Sequence, residues 1–126
     1  MRKPMHRSMM QVFVKESGKA LAFYRRAFDA EVKCDHRNAD GTVAHAELDI
    51  YGQVFAISEA GEPEAIPGNT MMFCLHFGKC REAFVQHAYD VLKDDAKIHD
   101  PLGPCDYSPL HFCLIDQFGV NWCIFV

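Results

Sequence analysis

No apolar run in this sequence approaches the roughly 20 residues that a bilayer-spanning helix needs. The basic start, Met1 to Ser8, is not followed by a long apolar stretch, so no secretory signal is read there and the expected location is cytoplasmic. Positive charge is in deficit: 13 Lys and Arg stand against 17 Asp and Glu, a net charge of −4. Nucleic acid and anionic membranes, which are held by clustered positive charge, are therefore poor candidates as partners. Glycine (8) and proline (6) are too few for a low-complexity or disordered chain. The six cysteines, Cys34, Cys74, Cys80, Cys105, Cys113 and Cys123, include no CxxC pair. Reduced, mostly buried thiols are expected rather than disulfides or a zinc site. There is no HExxH motif, phosphate loop, nucleophile elbow or dinucleotide fingerprint.

What is present is a chain of 126 residues, 49% hydrophobic, long enough for one domain with a core of its own. Helical periodicity runs from Gly18 to Phe28, with Ala20, Phe23, Tyr24, Ala27 and Phe28 on one face. A second helix is expected from about Arg81 to Lys93, with Phe84, Ala88, Val91 and Leu92 inward. Strands are expected at 10–14, 44–50, 53–57, 71–77, 110–115 and 120–126, and Asp40-Gly41 marks a hairpin turn.

The two halves share this order. Each opens on Met-Met and a strand, continues through a helix and closes on a glycine turn and a last strand. The reading is an α+β fold of tandem β-α-β-β-β modules, about 9–58 and 71–126, joined by a Pro-, Gly- and acid-rich linker at 59–70. Such modules form a curled mixed sheet around a cavity, with helices outside.

Four segments carry a resemblance across nearly the whole chain. They are Ala20 to Phe28 followed by Ala30-Glu31-Val32, Ala44 to Leu48, Gly52 to Glu59, and Asp116 to Trp122. Together they resemble the vicinal oxygen chelate superfamily of glyoxalases, bleomycin-resistance proteins and dioxygenases, and within it the PhnB-like branch. The resemblance implies the tandem-module fold, a concave small-molecule site and a homodimer. It also implies metal ligands on the first and last strands of each module, at Met9, Ala56, Met71 and Cys123 here. Two thioethers, a methyl and a thiol do not make a site for a hard divalent ion, which needs oxygen and imidazole donors. Hence no cofactor and no metal at this position are expected. A soft Cu(I) site from the two methionines and the cysteine is the one variant that ligand type allows, and divalent metal elsewhere is not excluded.

Among individual residues, His45 and Glu47 lie two apart on a strand and so share a face. They are the weak candidates for general acid–base chemistry, or else a hydrogen-bonded pair on a wet face. His111, Cys113 and Cys123 suggest a Cys–His nucleophile, but apolar neighbours favour inert buried thiols. His76 is expected in the core, and Trp122 on the helix side opposite Cys123. Tyr107 is placed in a loop over the pocket mouth, or is an ordinary loop tyrosine. Parity, with the concave face fixed by the ligand positions that the resemblance implies, assigns Met9, Gln11, His45, Glu47, Met71, Phe73, Asn121 and Cys123 to the ligand pocket, and the resemblance implies Tyr107 above it, unless a bulge at Gly52 or Gly119 flips the final strands. The leading functional reading is a PhnB-like small-molecule binding protein without the superfamily metal. The alternative is a lyase, isomerase or oxygenase acting on a small substrate, and a third is a structural dimer whose cavity is filled by side chains.

Overall fold

A computed structural model describes residues 2–126. The element order is β1 (Met10–Val14), α1 (Ser17–Phe28), β2 (Glu31–Arg37), β3 (Val43–Ile50), β4 (Gln53–Glu59), β5 (Phe73–His76), α2 (Glu82–Leu92), β6 (Lys97–Cys105), β7 (Ser108–Ile115) and β8 (Asn121–Phe125). Two mixed four-stranded sheets result, ordered β1-β4-β3-β2 and β5-β8-β7-β6, and no hydrogen-bonded seam joins them among the described residues. In each sheet the first strand runs parallel to the last, and the remaining neighbours are antiparallel. This is the α+β tandem arrangement read from the sequence.

Alternation along the strands sorts the side chains. Ala46, Leu48, Phe55 and Ile57 of the first sheet, and Phe112, Leu114, Trp122 and Ile124 of the second, join one core with both helices. The centre of that core is aromatic, with Phe55 5.3 Å from Trp122 and Tyr24 4.9 Å from Phe55. Such edge-to-face pairs contribute about 0.5–1.5 kcal/mol each beyond the area they bury.

Asp116 locks the two halves together. Its Oδ2 accepts hydrogen bonds from the Tyr24 hydroxyl at 2.6 Å and the Trp122 indole N–H at 2.9 Å. Its Oδ1 accepts from the backbone N–H groups of Phe118 and Val120. One buried carboxylate thus holds α1, β8 and the turn between β7 and β8. Burial pushes its own pKa up against the lowering effect of these donors. Gly119 completes the turn with φ +87°, and a Cβ there would meet the Pro67 ring at 3.1 Å. Two of the four segments that carry the family resemblance, Ala20 to Phe28 and Asp116 to Trp122, are thus joined by buried hydrogen bonds.

Several expectations need correction. Phe84 is not inward: it is 39% exposed, while Val85 is fully buried on the inner face of α2. Both choices satisfy a 3–4 spacing. Phe84 instead rests on Tyr51 and Phe77, with ring centroids 5.0 and 6.0 Å away. His76 is exposed and stacks on Phe125 at 4.6 Å, while Leu75 packs on the core. The cysteines are free but not mostly buried, since Cys74 and Cys80 are exposed, Cys34 and Cys105 are half-buried, and only Cys113 and Cys123 are buried.

Candidate functional site

The strand faces turned away from the core carry the polar chemistry, in two groups at corresponding positions. Cys34 and Glu47 are cross-strand partners in the first sheet, as Asp100 and Cys113 are in the second. His45 and His111 each lie two residues before the β3 or β7 member. Each sheet thus presents a thiol, an imidazole and a carboxylate, with thiol and carboxylate exchanged.

In the first group, His45 Nε2 lies 2.8 Å from Glu47 Oε2. Arg7, from the segment before β1, clamps the same carboxylate through both guanidinium nitrogens at 2.8 and 3.1 Å. The Arg7 hydrogen bond, followed by that of His45, lowers the Glu47 pKa to about 2. A carboxylate so fully engaged anchors the N-terminal segment and is a poor proton acceptor near neutrality. Sequence reasoning missed Arg7, because nothing local ties it to a residue 40 positions away.

In the second group, His111, Cys113 and Cys123 offer ligand atoms that all lie within 4.8 Å of one another. Cys113 and Cys123 face each other across β7 and β8, and Cys74 pairs with Cys123 from β5. Tyr107, at the tip between β6 and β7, places its hydroxyl 3.6 Å from Cys123 Sγ. Phe112, Leu114, Trp122 and Ile124, apolar neighbours that suggested a greasy setting, point to the opposite face, whereas Phe125 shares this one and packs on Tyr107. The Cys113 thiol is nevertheless not activated, since burial pushes it up to about 12.

Between the sheets lies a groove of about 330 Å³, lined by Gln11 and Phe13 of β1, 65–68 and 70–73 of the connection, and Phe118 to Asn121. Gln11 is held on its face by a 3.2 Å hydrogen bond to Ser58. Asn121 Oδ1 is buried and has no hydrogen-bond partner among the described residues.

The residues assigned to one pocket by parity therefore fall in three places. Gln11, Met71, Phe73 and Asn121 meet at the groove. His45 and Glu47 lie on the outer face of the first sheet, and Tyr107 and Cys123 on that of the second. Met9 is half-buried just before β1. Phe73 also differs in direction: it packs toward the core, 5.5 Å from Trp122, and Cys74 takes the outer face. The reason is register. Met10 pairs with Phe55 and Phe73 with Trp122, so Met10 corresponds to Phe73, one residue later than matching the two Met-Met pairs implies. A one-residue slip exchanges the faces of a strand.

The metal positions implied by the resemblance do not fit a hard ion. Ala56 is fully buried and offers a methyl group, and Met71 lies outside the strand and is 79% exposed.

The chain is similar in fold to the PhnB protein of Bacillus cereus, at 24% identity and a TM-score of 0.77, covering 95% of this chain and 98% of that one. A Pseudomonas aeruginosa protein matches at 15% identity and a TM-score of 0.79, over 96% and 97% of the two chains. A mutant of the fosfomycin resistance protein FosX from Listeria monocytogenes, complexed with Mn(II) and 1S,2S-dihydroxypropylphosphonic acid, matches at 15% identity and a TM-score of 0.64, over 99% and 93%. No curated protein matches the chain significantly. The family model describing the Glyoxalase/Bleomycin resistance protein/Dioxygenase superfamily matches residues 7–124, and the chain belongs to that superfamily.

Proposed function

We propose that the chain is a PhnB-like small-molecule binding protein, acting as a homodimer, whose ligand lies in the groove between β1, the connection before β5 and the turn before β8. The observation that carries this reading is the groove itself, about 330 Å³ and walled by Phe13, Met71, Met72 and Phe118, with the unpartnered Asn121 Oδ1 at its side. Ligand sites are typically apolar clefts of about 300–1,000 Å³ with a few placed polar groups. The ligand class is therefore an apolar or aromatic body.

Ala56 and the exposed Met71 support binding without the superfamily's metal centre. The enzymatic alternative has less behind it, because Glu47 is already neutralised by Arg7. Titration with anilinonaphthalene sulfonate in the presence of EDTA tests the reading. One saturable site per chain on fully folded protein is expected, and no saturable binding, or binding that requires added Mn(II), contradicts it.

A further inference from the structure

We propose that His111 Nε2, Cys113 Sγ and Cys123 Sγ form a site for one thiophilic metal ion of the Zn(II) class on the outer face of the second sheet. This site is separate from the groove. It also differs from the superfamily's metal positions, with which it shares only Cys123.

The first argument is geometric. Zinc bound to thiolate at about 2.3 Å and imidazole at about 2.0–2.1 Å in a tetrahedron separates its donors by about 3.5–3.8 Å. His111 Nε2 stands 3.7 Å from Cys113 Sγ, and the three donor atoms all lie within 4.8 Å of one another. They come from adjacent strands in fixed register, with Cys113 directly opposite Cys123. Little rearrangement separates this cluster from a ligand set.

The second argument is that His111 is buried, 6% exposed, yet poorly served by the protein. Among the described residues its Nδ1 has no partner. Its Nε2 has only the Cys113 sulfur at 3.7 Å and an Asp100 carboxylate oxygen at 3.6 Å. An imidazole this enclosed normally makes good hydrogen bonds or binds a metal.

The third argument is internal comparison. In the first sheet the positions corresponding to His111, Cys113 and Cys123 are His45, Glu47 and Ala56, and there the Glu47 carboxylate is met by a cation from the chain itself, the Arg7 guanidinium. By the register that aligns Met10 with Phe73, the residue corresponding to Arg7 is Thr70, which carries no charge. Among the described residues, no Lys or Arg forms an ion pair with Asp100, Cys113 or Cys123. The second set thus has one donor more, Cys123 in place of Ala56, and lacks the built-in cation.

Soft thiolates with one imidazole select Zn(II) over Mg(II), Ca(II) or Mn(II). Both cysteines bind as thiolates, so uptake releases their two protons to solvent, and no redox step is involved. Asp100 stands beside the three donors, where it can complete the set or hold a bound water.

The test is titration of reduced, metal-stripped protein with Co(II), followed by displacement with Zn(II). One Co(II) per chain is expected, with thiolate-to-cobalt charge transfer and tetrahedral visible bands that Zn(II) abolishes. C113S should weaken Zn(II) binding by at least about a hundredfold, more than the loss of an outer partner costs. H111A should shift the visible bands, and C34S should leave the spectrum unchanged. Should C113S not fold, Zn(II) protection of wild-type thiols from iodoacetamide, mapped residue by residue, gives the same answer. Protection confined to Cys113 and Cys123 supports the site. The absence of a cobalt–thiolate spectrum, a spectrum that survives C113S on folded protein, or protection centred on Cys74 and Cys80 overturns it.

Discussion

Asp116 and Glu47 are both engaged carboxylates with opposite consequences. Asp116 is buried at 4% exposure and accepts four hydrogen bonds that tie a helix, a strand and a turn. D116A leaves the Tyr24 hydroxyl and the Trp122 N–H without their acceptor, and should destabilise the fold by about 3 kcal/mol or more. Y24F removes one donor only and should cost about 1–2 kcal/mol. Urea unfolding followed by Trp122 fluorescence measures both. Glu47 is held at about 2 by Arg7 and then His45, below its ordinary value of 4.5. A carboxyl lowered on folding stabilises the protein above its unfolded pKa, and that contribution disappears as pH falls through the folded value. The stability difference between wild type and E47Q should therefore shrink as pH drops from about 5 toward 2. A difference that stays constant across that window contradicts the Arg7 clamp.

Elements were legible where a pattern is long and its neighbours are central in a sheet. Helix α1 was read within one residue, because five apolar side chains repeat on one face. The faces of β3, β4, β7 and β8 followed from alternation, since the register shifts fall on the outer strands β2 and β6 and not at Gly52 or Gly119. Strand β6 was not legible at all: Pro101 and Pro104 interrupt it, and its pairing with β7 shifts three times. Strand β5 is only four residues long, so matching Met71 with Met9 moved it by one and reversed the faces of Phe73 and His76. The candidate site suffers most from this, because its residues are sorted by parity and by the metal-ligand positions that the family resemblance implies. In α2, Phe84 and Val85 compete for the inner face by periodicity, and bulk favoured the wrong one. V85A should cost about 2 kcal/mol through the cavity it leaves, and F84A markedly less. Equal losses in thermal unfolding contradict the assigned helix face.

At the scale of the molecule, both sheets end in open edges, β1 and β2 in one, β5 and β6 in the other. Phe13, Met71 and Tyr107 are each more than 60% exposed, at 62%, 79% and 62%. Unpaired edges beside exposed apolar side chains favour pairing with a second copy, commonly by a two-fold axis. Sedimentation velocity at micromolar concentration should therefore show a dimer, and a monomer contradicts that part of the proposal. The groove reading makes a sharper demand, because it separates residues that the sequence had placed in one pocket. Met71 lines the groove and is exposed enough to change without disturbing the core, whereas His45 lies on the far face of the first sheet. The direct measurement is anilinonaphthalene sulfonate affinity, with EDTA present, for wild type, M71D and H45A. M71D should bind about tenfold more weakly, the equivalent of one lost methionine contact near 1.4 kcal/mol. H45A should bind as wild type does; an affinity lost in H45A and retained in M71D places the ligand elsewhere and contradicts the account.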